Sequence, residues 1–373
     1  MGLHLIPNNL NINFVGLRKV SYCISIVLIL VGLASLAIKG GPSFGIDFAG
    51  GTVVQIKFDQ QLSDAELKKA LADSDLPGLV VQSFGETSQD YLLRLSSNED
   101  VSAQMVRDTV NAAFAQNLPG QTYEIQRLEM VGPKMGADFR TKALEALYLA
   151  TLLMSVYISG RFEHRWGTAL IMAVVLGGSM LGLDAIGVPK GLQIIGVTLV
   201  TLAVCWRLKL AFALGAMISI LHDLFITVGI FSLLDKEFDL TIIAALLTVV
   251  GYSLNDTIIV FDRIRENLRG NRSPLTNIIN SSINQTMSRT VLTSLTTLLV
   301  VVALLILGGD IIFDFALALF IGILVGTFSS IFVASPILLV FEKTIQTRQI
   351  KQEEDAKEAA KRAANRSHDG AQV

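Results

Sequence analysis

The sequence predicts an α-helical polytopic membrane protein with about eight membrane spans and one α+β ferredoxin-like extracytoplasmic domain. Composition is the first observation: 51% of the 373 residues are hydrophobic and 17% are charged, whereas ordinary globular proteins are about 25% charged. The second is a series of apolar runs near the roughly 20 residues that cross a bilayer. The third is a polar stretch, 41–133, between the first two runs, with strand and helix patterns of its own.

Charge and cysteine content exclude several classes of function. The 30 Lys and Arg residues and 32 Asp and Glu residues give a formal net charge of −2. A charge of this sign and size creates no electrostatic field that would attract a polyanion, so we expect no nucleic-acid partner. The two cysteines, Cys23 and Cys205, lie in apolar runs far apart in the sequence. A disulfide framework and a structural zinc site are therefore excluded, and we expect neither a metal ion nor a cofactor.

The apolar runs define the predicted spans. They cover residues 20–38, 143–159, 167–187, 192–206, 210–234, 240–261, 290–307 and 315–341. The first run has two interpretations, a cleaved signal peptide or an uncleaved anchor. Cleaved signals have an apolar core of about 7–15 residues, which is shorter than this run. The sequence therefore favours a first transmembrane helix at 20–38, after an N-terminal segment at 1–19, and a transmembrane bundle at 141–341.

The distribution of Lys and Arg predicts the orientation, because short cytoplasmic loops concentrate these residues. Alternate loops contain Arg161, Arg165, Arg207, Lys209, Arg263, Arg265, Arg269 and Arg272. The opposite short loops contain only Lys190 and Lys236. We therefore expect both termini, including the charged tail at 342–373, to be cytoplasmic, and the polar stretch to lie on the other side of the membrane.

The polar stretch is predicted to form a compact domain. Apolar runs that alternate with polar residues predict strands at 51–58, 79–84, 91–95 and 122–131. A capping serine predicts a helix at 64–72, and an amphipathic pattern predicts another at 102–117. Ser63 and Glu66 have the spacing of a capping box at the start of the first of these helices. The order βαββαβ is that of a ferredoxin-like unit. It contains no evident catalytic cluster, so we interpret it as a binding or conformational module; a purely structural cap on the helices is the alternative.

Four ionisable residues fall within or beside predicted spans: His222, Asp223, Asp256 and Arg289. A charge at the centre of a spanning helix costs about 2.5–3.5 kcal/mol, so such groups are candidates for function. If the span of Asp256 ends near Asp262, Asp256 lies about 9 Å inside the membrane edge. Arg289 is predicted at the start of the next helix, where its side chain can reach the same level. The pair suits a proton relay or a permanent ion pair that fixes helix register.

Further polar residues surround these charges. Ser253, Asn255 and Thr257 accompany Asp256, and the next helix contains Gln285, Arg289, Thr293, Thr296 and Thr297 at helical spacing. We expect this stripe to face a polar element. The candidate ion-coupling residues are therefore Asp256, Arg289, His222, Asp223, Asn255 and Thr257. Asp262, in the sequence FDRIREN at the membrane edge, is predicted to be an interfacial partner of the nearby arginines.

Small residues predict close helix packing. Gly322 and Gly326 form a GxxxG pattern followed by two serines, which lets helices approach closely. Gly177, Gly178 and Gly182 form a second face of this kind. Neither pattern is specific by itself, because glycine is common in spanning helices.

Several longer motifs resemble one known family. They are GIDFAGG at 45–51 after the first span, VGP at 131–133, VGYSLNDTIIVFDRIREN at 250–267, TMSRTVLTS at 286–294 and VAS at 333–335. Together, in this order, they resemble the SecF branch of the SecD/SecF family of bacterial protein-export subunits, over roughly residues 10–345. The candidate structural-motif residues are Gly45, Asp47, Gly50, Gly51, Gly251, Asp262, Arg263, Arg265, Gly322 and Gly326.

The resemblance implies a function and a set of partners. A family member pairs with SecD, assists the SecYEG channel and uses the proton-motive force to help move preproteins across the inner membrane; YajC, YidC and membrane lipid are further candidate partners. SecD and SecF each resemble half of a resistance-nodulation-division (RND) transporter, with six spans and an external domain. The residues matching Asp256 and Arg289 are implicated in proton conduction, although the sequence leaves H⁺ and Na⁺ open.

The sequence departs from the family pattern in one region. The family usually has a single span between the motif matching Arg161-Phe-Glu163 and the one matching His222-Asp223, whereas two further apolar runs lie there in this chain. We interpret 166–207 as an inserted helical hairpin, whose Trp166 and Trp206 suit interfacial anchors.

Three other classes of function make different demands on the sequence. An RND-type exporter of small molecules or lipids would need a second half, and no internal duplication of that size is found in the sequence. An intramembrane hydrolase would need a nucleophile or metal set that His222 and Asp223 do not provide. A passive scaffold subunit of the translocase is the alternative without transport.

Overall fold

A computed structural model describes residues 11–348 except 73, 75, 85–88, 97–101, 164–165, 270 and 272, together with residues 350 and 358. In chain order, its elements are α1 (Arg18–Ile38), α2 (Ile46–Ala49), β1 (Gly51–Phe58), α3 (Asp64–Ala70), β2 (Val80–Phe84), β3 (Asp90–Leu95), α4 (Ala103–Asn117), β4 (Tyr123–Val131), α5 (Pro133–Glu163), α6 (Trp166–Ala185), α7 (Lys190–Arg207), α8 (Ala211–Leu233), α9 (Leu240–Leu268), α10 (Leu275–Leu307), α11 (Gly309–Ser329) and α12 (Ser335–Ile337).

The described residues contain eight helices long and apolar enough to cross a membrane, as the sequence predicts. They are α1, α5 to α10, and a final span at Ile312–Arg348. This final span passes from α11 through a π-helical turn at Ser330–Ala334 into α12 and a 3₁₀ turn at Leu338–Phe341. Pro336 lies just after the π-helical turn and has no N–H to donate, which accounts for the irregular helix there.

Three helices, α5, α9 and α10, extend well beyond the apolar runs from which they were predicted. α10 begins at Leu275, so the expectation that Arg289 lies at the start of its helix is wrong. Its first turns contain polar residues, yet they bury Leu275, Ile279 and Ile283 against the bundle. A hydropathy run marks the part of a helix that lies in lipid, and tertiary burial sets where the helix begins.

Parts of the predicted terminal and loop segments lie outside the described residues. These are residues 1–10, most of the charged tail after Arg348, Arg165 and Arg272. The described beginning of the tail continues the last helix, where Arg348 forms an ion pair with Glu163 of α5. The α6–α7 pair forms two antiparallel spans, and its status as an insertion stays a prediction.

The polar stretch forms a four-stranded antiparallel sheet in the order β2-β3-β1-β4, which confirms the predicted ferredoxin-like fold. Alternate residues of each strand face α3 and α4, and the core between them includes Phe58, Tyr91 and Phe114. The predicted capping box begins α3: the N–H of Glu66 donates to Ser63 Oγ at 3.2 Å, and the N–H of Ser63 donates to Glu66 Oε2 at 2.8 Å. The N–H of Ser63 and, to a smaller extent, its hydroxyl, which donates to Glu66 Oε2 at 2.8 Å, lower the pKa of Glu66.

Close packing between α9 and α11 depends on the GxxxG glycines. A Cβ built on Gly326 would lie 2.8 Å from Cβ of Ser253, and one on Gly322 would overlap the side chain of Val249. The second small-residue pattern behaves differently, because a Cβ on Gly178 has nothing within 4 Å among the described atoms. Only the first pattern therefore brings two helices together.

We expect Gly326→Ala to destabilise the protein by about 1–3 kcal/mol, because the added methyl overpacks the contact with Ser253. The matched control, Gly178→Ala, adds the same methyl to an open helix surface and should be neutral or stabilising by up to about 1 kcal/mol. Thermal unfolding of both variants in detergent measures the difference. Equal melting temperatures would mean that α9 and α11 do not pack as closely as described.

Candidate functional site

Asp256 lies in the middle of α9 and is buried between α10 and α11, with 1% of its surface exposed. The hydroxyl of Ser294 on α10 donates to its Oδ2 at 3.3 Å. That hydroxyl also lies 2.7 Å from Oγ1 of Thr327 on α11. Thr327 in turn donates to the carbonyl of Ile323, one turn earlier in α11. The carboxylate is therefore held by hydroxyls of two neighbouring helices.

Arg289 does not pair with Asp256 in this arrangement. Its side chain is exposed on α10, although its charge lies close enough to act on Asp256, and no ion pair joins the two among the described residues. Asn255 is also exposed, on the outer face of α9. Thr257 is buried, but its hydroxyl donates to the carbonyl of Ser253 in its own helix. Of the polar residues grouped by sequence around Asp256, two therefore have exposed side chains.

His222 and Asp223 form a second buried cluster, on α8. Nδ1 of His222 lies 2.8 Å from Oδ1 of Asp223, and Nε2 lies 2.9 Å from the hydroxyl of Ser25 on α1. Oδ2 of Asp223 accepts hydrogen bonds from Ser253 Oγ of α9 at 2.5 Å and from Ser329 Oγ of α11 at 2.9 Å. Four helices thus contribute to one connected hydrogen-bond network.

The two clusters are neighbours along the α9–α11 contact. Ser253 lies one helical turn before Asp256, and both point toward α11, where Gly326 leaves room for Ser253. Together the clusters form a lane of buried polar groups through the bundle. Sequence reasoning did not select Ser25, Ser294, Thr327 or Ser329, because isolated serines and threonines are common in spanning helices and their partners lie on other helices.

The residues near the other end of α9 form polar contacts with α5 and α10. Asp262 forms an ion pair with Arg161 at 2.9 Å, and Arg265 donates to the carbonyl of Arg161 at 3.1 Å. Arg263 donates to Gln285 of α10 at 2.6 Å. The arginine distribution predicts a membrane edge at these contacts, and that position stays a prediction.

The glycine-rich motif at 45–51 lies at the opposite end of α9, beside the sheet domain. Gly45 donates its N–H to the carbonyl of Phe238 at 2.8 Å, and Oδ2 of Asp47 accepts from the N–H of Leu240 at 3.0 Å. Gly50 and Gly51 have φ angles of 76° and 136°, a backbone that favours glycine, as the chain turns into β1. Gly251, by contrast, lies on an exposed part of α9.

Within the described part of the chain, no group of three or more His, Cys, Asp or Glu residues could hold a metal ion. Cys23 is exposed and Cys205 is buried, and both are free thiols. The chemistry available to the buried lane is therefore that of carboxylates, one imidazole and hydroxyls, which can exchange protons or bind a small cation.

Comparison with known proteins shows the family. The model for the C-terminal region of SecD/SecF protein export membrane proteins matches residues 110–177 and 189–344, and the SecD/SecF GG motif matches residues 34–62. Protein translocase subunit SecF of Magnetococcus marinus is 41% identical over 333 residues, covering 88% of this chain and 92% of its own. SecF of Calditerrivibrio nitroreducens is 36% identical over 343 residues, which cover 91% of this chain and 97% of that SecF.

A solved structure is similar over the same length. The crystal structure of SecDF from Thermus thermophilus, described as a translocon-associated membrane protein, matches with a TM-score of 0.66 and 31% identity. The match covers 92% of this chain and 40% of the SecDF chain. A crystal structure of SecDF in a form called super-membrane-facing matches with a TM-score of 0.54 and 30% identity. This match covers 97% of this chain and 41% of the SecDF chain. This chain thus spans about two fifths of SecDF.

The eight candidate spans and the similarity to SecF subunits define a multi-pass inner-membrane subunit of the protein-export machinery. Within that class, the chain belongs to the SecD/SecF family. Because it is similar to SecF subunits over most of their length, it belongs to the SecF branch of that family. The predicted resemblance, membrane bundle and ferredoxin-like domain are all confirmed.

We expect Asp223→Ala to cost about 1–3 kcal/mol of stability, because the hydroxyls of Ser253 and Ser329 lose their buried acceptor. Asp223→Asn keeps one acceptor oxygen and should fall between this variant and the native protein. Thermal unfolding in detergent measures the effect. Ser25→Ala, which removes a single contact at the edge of the network, is the control, and an equal loss in both alanine variants would contradict the central position of Asp223.

Proposed function

We propose that this protein pairs with SecD and, with the SecYEG channel, uses the proton-motive force to promote protein translocation across the bacterial inner membrane. Its similarity to SecDF over 92% of its length supports the pairing, since that chain is more than twice as long. Preproteins are the proposed cargo, YajC and YidC are proposed additional partners, and membrane lipid surrounds the bundle. No catalytic step is proposed, so the subunit acts without enzyme activity.

The position of Asp256 carries this proposal. It is a buried carboxylate in a spanning helix, held by the hydroxyl of Ser294 rather than by a cation. Groups of this kind are rare in membranes because they are costly, and they mark ion pathways. The neighbouring His222 and Asp223 extend the polar lane toward α1 and α8, so the proposed path of an ion runs along the α9–α11 contact.

The exposed side chains of Asn255 and Arg289 support a partner in the membrane. Polar side chains that face lipid need a hydrogen-bonding partner, since hydrocarbon supplies none. We propose that SecD covers this face of α9 and α10 and places Arg289 within reach of the coupling site. Asp256 and Arg289 would then pair during part of the cycle rather than permanently.

The proposed orientation places both termini in the cytoplasm and the sheet domain in the periplasm, in accord with the Lys and Arg distribution. The sheet domain would contact or follow the emerging preprotein. One elementary charge that crosses 100 mV releases about 2.3 kcal/mol. That energy biases a two-state domain by a factor of about fifty, which is sufficient for a ratchet.

We expect Asp256→Asn to abolish the part of preprotein export that depends on the ion gradient, because the amide cannot exchange a proton and lacks the charge that holds a cation. The measurement is export into inverted membrane vesicles with SecD, with and without collapse of the gradient. Separate collapse of the H⁺ and Na⁺ gradients identifies the coupling ion.

The matched control is Asp108→Asn, which makes the same change on the exposed surface of α4. It should retain full dependence on the gradient. If Asp256→Asn retains it as well, Asp256 is a structural residue and the passive scaffold is the better description. Transport of a small molecule by the isolated subunit would instead favour the RND-type exporter.

A further inference from the structure

Two carboxylates, remote from each other in sequence, hold the first turn of α9. The first N–H groups of a helix have no partner within it. Oδ1 of Asp239 accepts from the N–H of Ile242 at 2.8 Å, which is an ordinary N-cap. Oδ2 of Asp47 accepts from the N–H of Leu240 at 3.0 Å. The second contact is unusual, because Asp47 belongs to the motif that leads into the sheet domain.

Asp47 is itself fixed to the bundle. The N–H of Phe238 donates to the carbonyl of Ser43 at 2.8 Å, and the N–H of Gly45 returns a bond of the same length to Phe238. Phe48 and Phe238 are each 4% exposed and pack in the same core. These backbone bonds join the motif to the loop that leads into α9. The motif is also packed closely on α5, because a Cβ built on Gly136 would lie 3.1 Å from the carbonyl oxygen of Phe48. Asp47 therefore connects the first turn of α9 to α5.

The sheet domain is attached at the same point. β1 begins at Gly51, directly after this motif, and Arg94 of β3 forms an ion pair with Glu237, in the loop that precedes α9. Within the described residues, this is the one ion pair between the sheet domain and the rest of the chain. The start of α9 is thus the place where the sheet domain and the bundle meet.

α9 is one continuous helix from Leu240 past Asp256. At 1.5 Å per residue, these residues lie about 24 Å apart along the axis. A helix transmits an axial shift over this length because its internal hydrogen bonds resist compression. The bond from Ser294 to Asp256 is already 3.3 Å long, so a shift of about one residue rise would break it.

We infer that Asp47 is a positioning residue for the coupling site: by capping α9 from the sheet-domain side, it sets the axial position of that helix and the level of Asp256 between Ser294 and Thr327. This inference rests on the proposed function for its role in export, but the positioning itself is independent of export. The sheet domain and the buried carboxylate are then connected through a single helix and its cap.

The first test compares Asp47→Ala with Asp47→Asn, which keeps an acceptor for the N–H of Leu240, and with Asp108→Ala as an exposed control. Labelling of Asp256 by dicyclohexylcarbodiimide, followed by mass spectrometry, reports the surroundings of the carboxyl group. We expect labelling to rise about fivefold in Asp47→Ala, because the free energy typically lost with a helix N-cap corresponds to a change of about this factor in an equilibrium. The other two variants should label like the native protein.

A second variant keeps the test valid if Asp47→Ala folds poorly. A Cβ built on Gly45 lies 3.5 Å from Cβ of Asp239, within the range of a disulfide, about 3.5–4.5 Å. Gly45→Cys and Asp239→Cys are combined with Asp47→Ala and, separately, with the native Asp47, in a chain in which Cys23 and Cys205 are replaced by serine and alanine. The second protein reports the loss of the Asp239 cap alone. The protein is prepared oxidised and then reduced in the folded state. We expect native-like labelling of Asp256 when oxidised and increased labelling after reduction.

Export assays on the same vesicles separate this inference from the proposed function. Unchanged labelling in Asp47→Ala and in the reduced cysteine variant would overturn the positioning role, even if the native protein shows gradient-dependent export. Changed labelling in a protein whose export never depends on a gradient would preserve the positioning role and reject the proposed function. If the positioning role and the proposed function both hold, Asp47→Ala should lose gradient-dependent export and Asp47→Asn should keep it.

Discussion

Hydrocarbon offers no hydrogen bond to a polar side chain, and this constraint governs how the helices of the bundle pack. Asp223 and Asp256 remain buried only because hydroxyls from three other helices reach them. Those hydroxyls come close because Gly322 and Gly326 have no side chain to separate α11 from α9. The small residues and the polar residues are therefore parts of one arrangement.

α9 connects the regions of the molecule that otherwise have separate cores. Its first turn contacts the motif that leads into the sheet domain, its middle contains the buried carboxylate, and its last turns form ion pairs and hydrogen bonds with α5 and α10. The sheet domain has its own apolar core between the sheet and its two helices. A change at one end of α9 can therefore reach the other without a rearrangement of either core.

The sequence predicts elements whose signal is local. Span length reveals the helices, alternation reveals the strands of the sheet domain, and a charge in an apolar run singles out Asp256. The residues that hold Asp256 were not predictable in this way, because Ser294 and Thr327 resemble many other hydroxyls in spans. The start of α10 was also missed, because hydropathy marks the lipid-facing part of α10, which begins near Arg289, and not its first turn at Leu275. Gly178 and Gly326 have similar local contexts, and only tertiary contact distinguishes them.

The choice of hydroxyl partners has a consequence for the proposed coupling. If a buried carboxylate were paired permanently with an arginine, protonation of the acid would leave the cation buried and unpaired, which is costly. A hydroxyl both donates and accepts, so Ser294 can turn to suit a carboxylate or a carboxylic acid. An exposed Arg289 that approaches from a face covered by SecD could then pair with Asp256 only in the charged state. Under the proposed function, this arrangement allows the site to change charge without isolating a second ion in the membrane.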